Sequence, residues 1–218
     1  MQISHRLYSS YFQQIKYPIK LLWLALWGIF LISCSQSPEK EINNIIGSHS
    51  NLIRENCRLY NIPPRVYASI IYGELKNNYD EWDRFDSFRA RIGMDPSVGF
   101  AQIKVSTFVW IEDNYANEQY ISKSNSKDEL IDKMLNDSIN IRYSAFYMKL
   151  ISDKFSQKFK INPSVKTLAS YYGKGIDYYK GDTLDSSYYN QVGITSEKFY
   201  ISNNLVKEFP LPYKFTVQ

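Results

Sequence analysis

Residues 63–78 of the chain read PPRVYASIIYGELKNN and decide its fold. Two prolines stand where a helix can begin, because the first turn of a helix tolerates a missing N–H. In that helix Ile70, Ile71 and Glu74 share one face. The face should point inward, and burying a carboxylate costs free energy unless it is paired or used. Glu74 is therefore a boundary residue, half of an ion pair, or a functional group.

The remainder of the chain is also predicted to be mainly helical. Apolar residues recur at helical spacing almost throughout. SKDEL, residues 126–130, is typical of a capping box with Ser126 as N-cap of a helix through Met134. Further helices are predicted over 139–155 and from Pro163 onward. Strand signals are poor, with room for one small hairpin or loop insertion within 79–100, so we expect one mainly α domain over 42–218.

The N-terminal segment has the pattern of an export signal. Residues 1–20 carry three basic side chains and no acidic one, and residues 21–33, LLWLALWGIFLIS, are uncharged. An apolar run of 13 residues is short for a spanning helix, which needs about 20. We therefore predict a signal peptide over 1–33, with a retained short membrane anchor as the alternative.

The end of the apolar run resembles the lipobox of bacterial lipoproteins. It reads LISC, residues 31–34, and the resemblance implies that Cys34 is lipidated and becomes the first mature residue. Residues 34–41 then form a polar tether. The resemblance also implies attachment to the cell envelope. Because Ser35 and not aspartate follows Cys34, the outer membrane is expected for a Gram-negative source.

Composition narrows the classes of function. Removing residues 1–33 takes away three of the 26 basic residues and none of the 22 acidic ones, which leaves a net charge of about +1. The sequence has no polybasic run of the kind that would indicate binding to nucleic acid. His49 is the one histidine after residue 33, so the sequence does not supply the residues for a histidine-based metal site or a Ser-His-Asp triad.

Cys57 has no partner for an internal disulfide and is interpreted as a small buried side chain. No cofactor or metal is expected, and the protein is expected to be a monomer.

Four separated segments occur in an order that is typical of one enzyme family. They are PPRVYASIIYGE (63–74), SVGFAQIKVST (97–107), NIRYSAFYMKLI (140–151) and TLASYYGKG (167–175). Together they resemble the soluble lytic transglycosylase domain of the lysozyme-like superfamily over residues 55–185. The resemblance implies the helical fold of goose-type lysozyme and lytic transglycosylases, and glycan strands of peptidoglycan as the partner.

The resemblance also implies roles for individual residues. Glu74 matches the catalytic acid. Gly99, Gln102 and Ile103 match the second motif and are expected to bind substrate, and Asn140 and Ile141 match the third. Tyr171 matches the tyrosine beside the catalytic carboxyl. Two alternatives stay open: Gln102 as a turn residue bonded to its own loop, and Tyr171 as a packed core residue.

The sequence departs from the family pattern at four places. Leu75 stands where the family has serine, and Ala101 stands where it has methionine. Tyr172-Gly173-Lys174 replaces Asn-Ala-Gly, or the segment is one residue shorter. The stretch between Glu74 and Gln102 contains a charged insertion.

The expected chemistry follows from the position of Glu74. A carboxyl on an apolar face near a helix C-terminus has a raised pKa, as a general acid requires. By resemblance, one glutamate protonates the leaving oxygen between N-acetylmuramic acid and N-acetylglucosamine. It then accepts the proton of the sugar's 6-hydroxyl, which closes a 1,6-anhydro ring.

Two other functions are compatible with the same sequence. A second carboxylate would make the protein a hydrolysing lysozyme, and the candidates are Asp80, Asp83, Asp86 and Asp95. A catalytically silent lipoprotein could use the same cleft to bind glycan or a partner protein.

Overall fold

Helices make up most of the described chain. The computed structural model describes residues 38–78, 83–177, 189–202 and 208–209, without the side chains of 83–85. In these ranges the helices are α1 Pro38–Ser48, α2 Ser50–Leu59, α3 Pro64–Asn78, α4 Asp83–Arg91, α5 Val105–Tyr115, α6 Lys127–Leu135, α7 Asp137–Phe159, α8 Val165–Lys174 and α9 Gln191–Ile201. The prediction of a mainly α fold is confirmed.

The described residues all fall within one compact unit that begins at Pro38. Helix α1 begins inside the stretch predicted as a tether, 34–41, so residues 38–41 are helical. The predicted signal peptide, 1–33, and the predicted lipidation site, Cys34, lie outside the described residues. No helix of the described part is long and apolar enough to span a bilayer.

A two-stranded hairpin is the sheet structure of the described chain. Strands β1, Ser97–Val98, and β2, Ile103–Lys104, pair antiparallel with Ser97 opposite Lys104. The hairpin thus starts near the end of the stretch predicted for it, 79–100, and α4 occupies 83–91. Strands of two residues are too short to show an alternating pattern, so the sequence carried little signal for their position.

Helix α3 lies at the centre of the fold. It packs against α1, α2, α8 and α9, and every residue from Tyr67 to Leu75 is buried. The prediction of one inward face was too narrow, because a helix that is surrounded by others is apolar or small on all sides. Cys57 is also fully buried, as its interpretation requires.

Local sequence signals set the helices that surround α3. Ser126 accepts a hydrogen bond from the Glu129 N–H at 3.1 Å and so caps α6, as predicted. The Glu129 carboxylate reaches back to Asn125 and not to the N-cap itself. In α7 the predicted inner positions are buried, namely Ile141, Ala145, Met148 and Ile151.

A buried arginine ties α3 to the C-terminal segment. Arg65 is 1% exposed. Its guanidinium donates to the carbonyls of Tyr200 at 2.7 and 3.0 Å, of Ser202 at 2.7 Å and of Phe209 at 3.2 Å. Carbonyls at the end of a helix lack helical partners and carry partial negative charge. The Tyr200 and Ser202 carbonyls lie at the end of α9, and together with the Phe209 carbonyl they compensate the buried positive charge and fix the end of α9 against α3.

Glycines allow α3, α8 and α9 to approach closely. A Cβ atom on Gly73 would lie 2.1 Å from Ser196 Oγ and 2.9 Å from the Val192 carbonyl oxygen of α9. A Cβ atom on Gly193 would lie 2.6 Å from the Lys166 carbonyl oxygen of α8. The distance between packed helices depends on the side chains at their contact. The two glycines therefore set the spacing of the three helices.

We predict that Gly73→Ala lowers the free energy of unfolding by about 1–3 kcal/mol, because the added methyl group overfills the contact with α9. Gly47→Ala is the matched control, since a Cβ there meets nothing within 4 Å. It should leave stability unchanged or raise it by up to about 1 kcal/mol. Chemical denaturation of both variants measures the difference. Equal stabilities would contradict the close-contact account.

Candidate active site

Glu74 lies one turn before the end of α3 with its carboxyl group buried. The residue is 3% exposed. Its Oε2 atom accepts a hydrogen bond from Asn78 Nδ2 at 2.9 Å. Its Oε1 atom is buried and has no hydrogen-bond partner in the described part of the chain. Such an atom is rare in folded proteins and indicates a site where a ligand atom or water completes the hydrogen bonding.

The surroundings of Glu74 raise the pKa of its carboxyl group to about 7. Burial is the main cause, because the charged form loses its hydration. The Asn78 hydrogen bond and the positive charge of Lys104 oppose the shift. A substantial fraction of Glu74 is therefore protonated at neutral pH, as a proton donor requires.

Glu74 borders a cavity of about 290 Å³. The walls come from α3, from the hairpin and the start of α5, from α7, from the end of α8 and from the start of α9. The lining residues are Glu74, Asn78, Ser97, Gln102, Ile103, Lys104, Thr107, Tyr147, Tyr172, Gly173, Lys174, Asn190, Gln191 and Val192. The three helices that the glycine contacts bring together thus contribute to one site.

Two further cavities extend this one in two directions. A cavity of about 340 Å³ shares Asn78, Ser97 and Gln102 with it and continues to Asp86 and Arg89. A cavity of about 450 Å³ shares Thr107, Tyr147 and Lys174 with it and continues to Trp110 and Asp177. Because each neighbour shares lining residues with the middle cavity, the three cavities lie side by side, and we call them together the groove. Glu74 borders the middle cavity.

The turn of the hairpin is held in place by two side chains from distant helices. Asn140 of α7 accepts from the Ala101 N–H at 2.7 Å and donates to the carbonyls of Val98 at 3.1 Å and Met134 at 2.8 Å. Tyr172 of α8 donates to the Ala101 carbonyl at 2.8 Å. Both backbone groups of Ala101 are therefore fixed, which positions the groove wall opposite α3.

The residues predicted from the second motif have different places in this turn. Gly99 has a φ of +78°, and a Cβ there would lie 2.3 Å from the Met134 carbonyl oxygen, so its role is to form the turn. Gln102 lines the groove, and its Nε2 also donates to the Gly99 carbonyl at 3.1 Å. Both interpretations of Gln102 are thus compatible with its position. Ile103 is buried and borders the central cavity.

Tyr171 does not border the described groove. It is 5% exposed, and its ring packs edge-on against Phe155 with the ring centroids 5.9 Å apart. The next residue, Tyr172, borders the cavity instead. The geometry favours the interpretation of Tyr171 as a packed core residue and assigns the tyrosine beside Glu74 to Tyr172.

Leu75 is buried in the hydrophobic core, 7% exposed. It therefore supplies packing where the resembling family has a hydroxyl group. Asn78, one helical turn after Glu74, is the residue of α3 that hydrogen-bonds the carboxylate. Positions i and i+4 of a helix are neighbours, so the spacing of Asn78 from Glu74 was a usable signal in the sequence.

The candidate second carboxylates differ in their surroundings. Asp86 borders one end of the groove and pairs with Arg89 at 3.0 Å. Asp95 accepts from Ser106 N at 2.7 Å and from Ser106 Oγ at 2.8 Å, so it caps the start of α5. Asp80 lies outside the described residues, as does the side chain of Asp83. Each of the two described carboxylates already has a partner.

No family model, curated protein or solved structure matches the chain with significant similarity. The family resemblance therefore stands on the four sequence motifs. In the described ranges no group of three His, Cys, Asp or Glu side chains is placed to hold a metal ion.

We predict that Glu74→Gln changes how stability depends on pH. The folded pKa of Glu74, about 7, lies above the ordinary value of 4.5, so its stabilising contribution is complete below 4.5 and is lost as pH rises through about 7. Between pH 5 and pH 8 the wild-type protein should lose roughly 2–3 kcal/mol of unfolding free energy relative to the variant. Denaturant titrations of both proteins at the two pH values measure this difference. Parallel pH profiles would contradict a buried, protonated Glu74.

Proposed function

We propose that the protein is a lysozyme-like lytic transglycosylase that cleaves the glycan strands of peptidoglycan. The single observation that carries the proposal is the state of Glu74. Its carboxyl group is buried, has a pKa of about 7, and has one oxygen without a partner among the described residues, at the middle cavity of the groove. The order of the four sequence motifs gives independent support for this family.

In the proposed reaction Glu74 acts first as an acid and then as a base. A neutral carboxyl group gives its proton to the oxygen that links C1 of N-acetylmuramic acid to N-acetylglucosamine, and the bond from C1 to that oxygen breaks. The 6-hydroxyl oxygen of the same N-acetylmuramic acid forms the new bond to C1. The Glu74 carboxylate accepts the proton of that hydroxyl and returns to its starting state.

The partners of the groove carboxylates favour this single-carboxylate route. A lysozyme needs a second carboxylate as nucleophile or base. Asp86 at one end of the groove is paired with Arg89, and Asp177 at the other end is paired with Lys154. Neither of these two carboxylates borders the central cavity in which Glu74 lies. Hydrolysis with Asp86 as the second group is the alternative.

A catalytically silent binding protein is the rival from another class. The observation that favours it is Leu75, which is buried and apolar where the resembling family has serine. On this alternative the groove would hold a glycan or a partner segment, and Glu74 would act only as a hydrogen-bonding group.

The N-terminal motif supports a proposal for the location. We propose that residues 1–33 are removed, that Cys34 carries the lipid, and that in a Gram-negative source the domain faces the periplasm from the outer membrane. A lipid-anchored monomer would then meet the glycan strands directly.

We predict that the full chain releases 1,6-anhydromuropeptides from purified sacculi, measured by liquid chromatography and mass spectrometry. Glu74→Gln should reduce the release by at least about a hundredfold, because it removes the proton donor. Glu55→Gln removes an exposed carboxylate on α2 and is the matched control with unchanged release.

Three results would contradict the proposed function or the proposed role of Glu74. Products with a reducing end would identify a hydrolase. Binding to sacculi without release would identify a binding protein. Equal release by Glu74→Gln and the wild type would remove Glu74 from the mechanism.

We also predict that kcat/KM falls as pH rises above about 7, because the proton donor of the free enzyme is then ionised. Asn78→Ala removes the hydrogen bond that stabilises the charged form of Glu74. The alkaline limb of the pH–rate profile should therefore move to higher pH in this variant. An unmoved limb would show that another group controls the profile.

A further inference from the structure

Two lysines flank Glu74 in the central cavity of the groove. Of the residues that line this cavity, the charged ones are Glu74, Lys104 and Lys174. Lys104 ends strand β2 and precedes α5, while Lys174 is the last residue of α8. Both are exposed. Neither forms an ion pair with another residue of the described chain, whereas many of its other lysines do.

The two ends of the groove do not neutralise these lysines. At one end the charges of Asp86 and Arg89 cancel in an ion pair. At the other end Asp177 pairs with Lys154. When Glu74 is protonated, the centre of the groove therefore carries two positive charges. The chain after residue 33 has a net charge of only about +1, so this charge is a local feature and not part of a generally basic surface.

We propose that Lys104 and Lys174 bind a carboxylate carried by the N-acetylmuramic acid residue, so that the groove selects anionic glycan strands over neutral ones. The inference rests on the proposed function, because it assumes a muramoyl glycan in the groove. That sugar carries a lactyl group on C3, and chitin, built from N-acetylglucosamine alone, has none. The carboxylate belongs to the lactyl group itself on peptide-free strands, or to the attached peptide on peptide-bearing ones.

The expected size of the selection is modest. Each lysine is exposed, and an exposed ion pair changes an affinity by only about 1.4- to 5-fold. Two such pairs correspond to about a two- to thirtyfold difference in affinity at low salt. Added salt should reduce the difference because it screens exposed charges. The selection therefore distinguishes substrates without binding the product tightly.

The effects of the two lysines can be distinguished by the pH–rate profile, which is a second measurement besides binding. The charge of Lys104 lowers the pKa of Glu74, while Lys174 is not among the groups that shift it. Lys104→Met should therefore weaken binding of anionic strands and also move the alkaline limb of the pH–rate profile upward. Lys174→Met should weaken binding alone. A loss of general cavity shape would not produce this pattern.

The test measures binding by the full chain with Glu74→Gln, in detergent at pH 6 and low salt. The ligands are peptide-free muramoyl strands, peptide-bearing strands, the same two after amidation of their carboxyl groups with methylamine, and a chitin hexasaccharide. Glutamine resembles the protonated glutamic acid, so affinity is measured without turnover. Lys104→Met and Lys174→Met are compared with Lys198→Met, which removes an exposed lysine that borders none of the three groove cavities.

We expect at least one carboxylate-bearing strand to bind about two- to thirtyfold more tightly than its amidated form. Each groove variant should reduce that ratio toward one, and Lys198→Met should keep it. Preference for peptide-free strands assigns the carboxylate to the lactyl group, and preference for peptide-bearing strands assigns it to the peptide. Equal affinity for both strands and their amidated forms would overturn the inference. Because affinity is read without turnover, this result is distinct from a failure to release anhydromuropeptides.

Discussion

The close packing of three helices around Glu74 is the constraint on which the rest of the site depends. Gly73, next to Glu74 in the chain, lets α3 approach α9, and Gly193 lets α9 approach α8. Gly173 of α8 faces the carboxyl group so closely that a Cβ there would lie 2.9 Å from Glu74 Oε1. Helices that carried larger side chains at these contacts would stand further apart. Water could then reach the carboxyl group, and the main cause of its raised pKa would be lost.

Burial of Glu74 by the same packing lowers the free energy of unfolding, because its carboxyl group is not fully hydrogen-bonded within the described chain. A buried carboxyl oxygen without a hydrogen bond destabilises the folded state relative to a fully bonded one. In the two other buried charged residues of the described chain, every polar side-chain atom has a hydrogen-bond partner. The Arg65 guanidinium donates to three backbone carbonyls. The Glu112 carboxylate accepts hydrogen bonds from Ser124, Lys133 and Tyr143. Among these three buried charged residues, Glu74 is the one with an oxygen that lacks a hydrogen-bond partner in the described chain, and it borders the groove.

Local signals in the sequence predicted the helices, while long-range contacts decided the details of the site. The prolines before α3, the Ser126 cap and the apolar spacing of α7 depend on neighbours in the chain, so their predictions are confirmed. The hairpin depends on Asn140 and Tyr172, which lie far along the chain from Ala101. Whether Tyr171 or Tyr172 borders the groove depends on the rotation of α8 in its packing. The unpartnered Oε1 atom of Glu74 depends on helices that the sequence does not show to be adjacent.

The protonation state of Glu74 is the central claim, and it can be observed directly. The measurement is the 13C chemical shift of the Glu74 carboxyl carbon against pH, in chain labelled with 13C-glutamate and assigned by loss of the signal in Glu74→Gln. We expect a titration midpoint near 7. A midpoint near the ordinary value of 4.5 would mean that the carboxyl group is hydrated and ionised at neutral pH, and would contradict its proposed role as a proton donor.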